Sequence, residues 1–309
     1  MHGKKAFSVF AILCLFSVLT TSGCISQGTA TGSGVVIENF EVDFQKVYAS
    51  ENFKLQAKIK NVGSVDALNI FPELYNLQSS SQEGQLEISC DGTCPSEITL
   101  LAPDAERGTT GETKTCVWNC VAPAIPKGLS VAFNPSVRLY YMYATHTVKS
   151  VTIASQDELR SIQTQGGALP SETVSTTTSP VQLSVIVNGP IRYQEDDNSV
   201  TFPINIDIQN TGGGTACAGN DGCMNTENWN KINIVFDRGD DTSIGLKSCV
   251  MDSNAEVPIA LWKGQSATLT CEIEINVQEA ASLVQKNLKF SIYYDYFTDT
   301  STSIEVLGR

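Results

Sequence analysis

Several sets of residues in this sequence have types and spacings that chemistry uses. Cys90, Cys94, Cys116 and Cys120 form two Cys-x3-Cys pairs. A zinc ion would take them as four thiolates, and an oxidising compartment would close them as two disulfides. Asp237, Asp240 and Asp241 bracket Arg238-Gly239 and supply oxygen donors of the kind that hold calcium. Glu195-Asp196-Asp197 is a second acidic run. Paired carboxylates serve glycoside hydrolysis when they flank the scissile bond, whereas clustered acids in turns are usually solvated. Apart from His2, His146 is the only histidine, so a hydrolytic triad would have one base to draw on. It and its counterpart Asp299 are expected at exposed hairpin tips, where a solvated turn is the simpler reading. No Gly-rich phosphate loop, paired-histidine zinc helix or nucleophile elbow is present. The sequence thus predicts no catalytic residue, no cofactor and no metal beyond the calcium alternative.

The first residues bear on location. His2, Lys4 and Lys5 precede an uncharged apolar run over residues 6–19, followed by Thr20-Thr21-Ser22-Gly23-Cys24. A basic start, a short apolar stretch and a small-residue exit are the parts of a secretory signal. The run falls short of the roughly 20 apolar residues of a comfortable membrane span. Ser22-Gly23-Cys24 resembles the lipobox of prokaryotic lipoproteins, and that resemblance makes Cys24 the site of lipid attachment. Cys24-Ile25-Ser26 is similar to the mature start of archaeal surface lipoproteins. An uncleaved anchor, plain secretion and pilin-like cleavage near Lys5-Ala6-Phe7-Ser8 are the alternatives.

Ten cysteines then sort by position. Cys14 lies in the signal and Cys24 at its exit, leaving Cys90, Cys94, Cys116, Cys120, Cys217, Cys223, Cys249 and Cys271. Eight in an exported chain read as four disulfides, with 105 connectivities. Cys94 to Cys116 and Cys249 to Cys271 are equally spaced, which favours pairing both and nesting Cys90–Cys120 around the first. Cys217–Cys223 is then a local clip. The pairing Cys90–Cys116 with Cys94–Cys120 stays open.

These residues need a scaffold, and the polar–apolar alternation describes one. Phe53, Leu55, Ala57 and Ile59 alternate with polar residues and end at Asn61-Val62-Gly63; Phe202, Ile204, Ile206 and Ile208 do the same before Asn210-Thr211-Gly212. Leu139-Tyr140-Tyr141-Met142-Tyr143 matches Ile292-Tyr293-Tyr294-Asp295-Tyr296 at one constant offset, and Val151 and Ile153 match Ile304 and Val306, read as return strands of hairpins. Gly111 and Gly264 each open a Thr-rich strand bearing Cys116 or Cys271. A tandem duplication follows. The expected fold is all-β, two tandem antiparallel immunoglobulin-like β-sandwiches, with a short helix only at residues 277–288. Tyr141 and Tyr143 share one strand face and Tyr140 and Met142 the other, so one face packs the core and the other is a candidate contact strip for carbohydrate or protein. Trp118, Trp229 and Trp262 fit either role.

The stretch from Ser50 through Asn61-Val62-Gly63 to Ala67 resembles the CARDB-like and related immunoglobulin-like domains of archaeal and bacterial surface proteins, and Asn210-Thr211-Gly212 is similar. The resemblance implies a cell-surface lipoprotein of archaeal type. The expected layout is a signal peptide (1–23), a tether (24–34), a first sandwich (35–153), a Ser/Thr-rich linker and O-glycan candidate (154–180) and a second sandwich (181–309). Without Lys4 and Lys5 the chain has 18 basic against 33 acidic residues, or −15, which repels phosphate backbones and excludes nucleic acid. The expectation is a non-enzymatic protein outside the cytoplasm, tethered to the membrane by an N-terminal lipid and binding a surface protein or glycan. Adhesion, envelope organisation and surface-complex assembly are the roles implied. Alternatives are a subunit of a pilus or other filament, an accessory hydrolase, and a solute-binding lipoprotein.

Overall fold

Alternating side chains bury one strand face, and the structure stacks those faces into two sandwiches that share a sheet. The computed structural model describes residues 34–79, 86–92, 94, 98–194, 197–218, 222–250, 256–277 and 282–309. The proposed signal, Cys24 and most of the tether lie outside the described residues. The first half contains β1 (Val35–Val42), β2 (Lys46–Tyr48), β3 (Asn52–Asn61), β4 (Ala67–Tyr75), β5 (Ser89–Asp91), β6 (Ile98–Leu100), β7 (Thr113–Val121), β8 (Ser130–Phe133) and β9 (Ser136–Ser155). A helix, α1 (Gln156–Thr164), and β10 (Val174–Thr176) lead onward. The second half contains β11 (Val181–Val187), β12 (Ile191–Tyr193), β13 (Ser199–Asn210), β14 (Thr215–Cys217), β15 (Lys231–Asp237), β16 (Ile244–Ser248), β17 (Val257–Ala260), β18 (Ser266–Asn276), β19 (Leu283–Ser301) and β20 (Ile304–Leu307). Among the described residues no helix is long and apolar enough to cross a membrane.

The topology repeats. One sheet orders β1-β3-β7-β5 and another β11-β13-β18-β16. Both face a nine-stranded sheet with the path β17-β15-β19-β9-β4-β6, in which β17-β15-β19 mirrors β6-β4-β9. The fold is all-β and immunoglobulin-like in each half. A single core joins Phe53, Ile59 and Tyr141 to Ile206, Tyr294 and Val306.

The seam is the antiparallel pair β9–β19, and here the hairpin expectation is corrected. Residues 136–155 form one continuous strand, and β20 does not fold back on β19. β9 and β19 pair from Leu283↔Ala154 to Ser301↔Ser136. β20 continues in the same register on β8, from Ile304↔Phe133 to Leu307↔Ser130, with β2 on its other side. The two strand ends therefore exchange places: β9 runs on into the second half, and β20 completes the first. Met142 and Asp295, equivalent residues, face each other at the pseudo-twofold centre. Pro135, lacking an N–H, interrupts the first copy between β8 and β9; Leu288 stands at the matching place and β19 is unbroken.

The region expected as a linker is built into the fold. Ser155 caps α1 by accepting from the Glu158 N–H, the S-x-x-E signature of a helix start. Glu172 accepts from the Thr152 N–H at 3.1 Å and pairs with Lys149 at 3.0 Å. Ser179 is fully buried and bonded to Thr145 Oγ1 at 2.8 Å. Within the span 277–288, where a helix was expected, residues from Leu283 onward are strand instead. Cross-strand pairing of Val284 and Leu288 with β9 outweighs their local helical pattern.

Four disulfides are present, Cys90–Cys120 within one sheet, Cys217–Cys223 as a local clip, and Cys94–Cys116 and Cys249–Cys271. Cys116 on β7 pairs opposite Ala57 on β3, whereas Cys271 on β18 pairs opposite Ile204 on β13, two residues farther from the Asn-x-Gly turn.

Candidate functional site

Inward-facing residues at the seam are structural. Tyr141, Tyr143, Tyr294 and Tyr296 pack around the pseudo-twofold centre, with ring centroids 5.5 Å apart for Tyr141–Tyr296 and 6.5 Å for Tyr143–Tyr294. Each hydroxyl reaches backbone. Tyr143 OH donates to Asn61 Oδ1 at 3.4 Å and accepts from the Val65 N–H at 3.3 Å. Tyr296 OH donates to Asn210 Oδ1 and accepts from the Gly214 N–H, both at 2.8 Å. Burial pushes both phenols up to about 12. Asn61 Nδ2 donates to the carbonyls of Val65 and Leu100, and Asn210 Nδ2 to those of Gly214 and Gly264. The Asn-x-Gly turns singled out in the sequence are thus latches, buried at Asn61 and half-buried at Asn210, in which amide and phenol satisfy loop backbone.

The outer face of the same strands is different. Phe71 and Tyr75 on β4 are 39% and 37% exposed. Next to them on β9 stand half-buried Tyr140 and exposed Met142, and Tyr293 on β19 is exposed too. Trp229, Phe297, Tyr140 and Phe71 make a row of rings, with successive centroids 5.2, 5.8 and 6.3 Å apart. The Arg138 guanidinium lies 4.4 Å from the Phe297 ring centroid and 5.3 Å from that of Tyr75. It is held by two bonds to Asp299, 2.7 and 3.0 Å long, which keep it charged. Glu73 accepts from the Tyr140 hydroxyl at 3.3 Å. The face can therefore offer π surface, one neutralised cation and a carboxylate on rigid strands.

A disulfide-clipped insertion of the second half covers the seam beside this face, while the second-half counterparts of Phe71, Tyr75 and Tyr140 are Asn233, Asp237 and Tyr293. β14 pairs with β19 at residues 295–297, and Cys217–Cys223 holds the chain over Phe297, which is 5% exposed. Trp229 donates its indole N–H to the Cys223 carbonyl at 2.9 Å. Gly222, with φ of +52°, backs onto the Asp295 carboxylate, where any Cβ would collide. Burial raises the Asp295 carboxyl above the usual range.

The other candidates fall elsewhere. His146 and Asp299 are not at hairpin tips but within paired strands, because the strands run on through the seam. His146 Nδ1 lies 2.8 Å from Ser291 Oγ, a nucleophile–base spacing. Ser291 is flanked by His146 on β9 and by Val235 on β15, so its own backbone is committed to the sheet and forms no oxyanion hole. Asp237 Oδ1 accepts from the Gly239 N–H at 2.8 Å, while Asp241 pairs with Lys286 at 2.8 Å and also accepts from Ser243. Burial works to raise the Asp241 pKa, but the bonds from Lys286 and Ser243 outweigh it and hold the carboxyl low. Asp240 lies in the same turn without joining a ligand cluster: no group of three or more His, Cys, Asp or Glu is placed to hold a metal among the described residues. The Cys90, Cys94, Cys116 and Cys120 thiols, weighed as a zinc site, are joined in disulfides. Trp118 is core and Trp262 is 74% exposed on a turn. Sequence reasoning missed Arg138 and Glu73, whose only signal was period-two alternation with Tyr140 and with Phe71 and Tyr75.

No family model matches this chain, and neither does any curated protein. Among solved structures it is similar to the secreted serine protease VesC from Vibrio cholerae, at 8% identity over 87% of this chain and 51% of that one, with a TM-score of 0.19. It is similar to the class 5 fimbriae chaperone CfaA at 12% identity, covering 76% and 84%, with a TM-score of 0.16. For the CupB6 tip adhesin from Pseudomonas aeruginosa the values are 11%, 90% and 97%, with a TM-score of 0.15. The chain spans about half the length of the protease and 31% of a red sea bream transglutaminase. At these scores the likenesses carry no argument about function, and the fold rests on the chain's own topology.

Proposed function

We propose that this chain is a membrane-tethered, extracytoplasmic binding or structural protein that serves adhesion, envelope organisation or surface-complex assembly. The observation that carries this reading is the set of four disulfides across both sandwiches. Such bonds form and persist in oxidising compartments, and a chain with a basic, apolar, small-residue start is routed to one. The lipid on Cys24 is the proposed anchor, by resemblance to the lipobox of prokaryotic lipoproteins. The resemblance to CARDB-like domains supports the same role and an archaeal type. We assign no reaction to the chain, because the His146–Ser291 pair found among the described residues sits in committed strands.

Mass spectrometry of the native protein tests this reading. A lipid mass on a peptide beginning at Cys24, with four bridges in a non-reducing map, is the expected result. A free Cys24 thiol behind a retained Met1 would overturn the tether, and reduced cysteines in a cytosolic fraction would overturn the location.

A further inference from the structure

We infer that the outer face of the shared sheet, on its first-half side, binds a neutral carbohydrate chain. This rests on reading the protein as a surface binding module and names the ligand class that module takes.

Three observations select the ligand. The first is that Phe71, Tyr75 and Tyr140 stand on the side of β4 and β9 that turns away from the sandwich core, while the matching places in the second half hold Asn233, Asp237 and Tyr293, with no outward aromatic on β15. Aromatic rings with negative π faces suit the C–H faces of sugar rings.

The second is the polar groups set among those rings. Glu73 lies between Phe71 and Tyr75 along β4, and Arg138 lies beside Tyr140 along β9. Sugar hydroxyls can bond to the Glu73 carboxylate, the Tyr140 hydroxyl and the Arg138–Asp299 pair. Lipid tails would take the same charged groups out of water, a large desolvation cost even for paired ions.

The third is charge. Arg138 is already neutralised by Asp299, Glu73 adds a negative charge, and the whole chain carries −13. An acidic polysaccharide is repelled and a neutral one is not. The rings also sit on hydrogen-bonded strands, so little side-chain freedom is lost when a ligand arrives.

The test uses the full chain on an array of neutral hexasaccharides (glucose, galactose, mannose and N-acetylglucosamine series) beside a uronic-acid hexasaccharide. Wild type is expected to retain at least one neutral series and not the acidic one. Phe71→Ala and Tyr75→Ala should each weaken binding about tenfold, equivalent to about 1.4 kcal/mol. Phe71→Leu should weaken it nearly as much, because it keeps apolar area but removes the π face. Trp262→Ala, on a separate turn, should change nothing. Thermal melts and the disulfide map establish that each variant is folded.

Retention of no neutral series, equal retention of the acidic one, or undiminished binding by the Phe71→Leu variant would overturn the proposal. Capture of a protein partner whose binding survives enzymatic deglycosylation but is lost in Phe71→Ala would also overturn it. A blank array from a chain that still fractionates with the envelope removes the glycan and leaves the surface reading standing. Array binding by a chain found unlipidated in the cytosol does the reverse.

Discussion

The two halves of this molecule are built on one frame and finished differently. Across the seam, Leu68, Met142, Asp295 and Cys217 form one row of paired residues, with Leu68 and Cys217 in mirrored places. Beyond Leu68 the first copy makes a β-bulge, with Asn69 at φ +50°, and resumes pairing at Phe71. Beyond Cys217 the second copy leaves the sheet through the clipped insertion and resumes at Asn233 opposite Tyr293. An extra residue and an extra loop occupy the same irregularity. The lesson is that the inward face, latched by Asn61–Tyr143 and Asn210–Tyr296, tolerates little change, while the outward face was free to diverge. One half carries Phe71 and Tyr75 beside Tyr140, and the other carries Asn233 and Asp237 beside Tyr293.

The largest test of this comparison removes β20. Ile304 and Val306 belong to the second repeat by sequence but are buried in the first half. A chain ending at Ser303 should lose roughly 3–6 kcal/mol, the burial of two aliphatic side chains. Hydrogen exchange should show β2 and β8 opening first; an unchanged urea midpoint would break the strand-exchange description.

The latches come next. Asn61→Ala and Asn210→Ala each strip two loop carbonyls and a phenol of partners and should cost about 2–4 kcal/mol. Equal losses in chemical unfolding sharpen the equivalence of the halves. A large loss in one and none in the other breaks it.

Disulfides should then rank by the loop they close. Replacing Cys94 and Cys116 by Ala closes off a gain of about 3 kcal/mol, and replacing Cys217 and Cys223 about 2 kcal/mol. The second pair should act locally, raising the exposure of Trp229 to fluorescence quenchers. A global loss of fold from the second pair alone would show that the insertion supports the frame.

The smallest effect belongs to Asp295, mirror of Met142. Its folded pKa is raised by burial, so the stability linked to its proton is full below the unfolded aspartate value and is lost as pH rises through the folded one. Asp295→Asn should therefore raise Tm at neutral pH, with the gain fading as pH falls into the aspartate range. A gain independent of pH would assign it to packing.

Much of this was legible before folding, and the misreadings have physical causes. Phe53 to Ile59 and Phe202 to Ile208 announced half-buried strands, and the all-β class followed. The helix α1 had its signature in Ser155-Gln156-Asp157-Glu158, overlooked inside a stretch read by composition as linker. His146 was placed at a tip because a hairpin was the shortest way to pair two adjacent runs. The contact strip was half visible: alternation separated Tyr140 from Tyr141, but which residues would stand beside Tyr140 depended on its pairing with β4.

Strand faces, the repeat and the alternation of buried and outward residues follow from the order of the amino acids, because side-chain periodicity and turn residues act over a few positions. Which strands became neighbours was settled by long-range packing. A backbone N–H carries no label for its partner, so β9 could have folded back on itself and instead paired with its own copy in β19. That pairing fused two sandwiches into one body, and the pairing of β4 with β9 set Phe71, Tyr75 and Tyr140 on one surface.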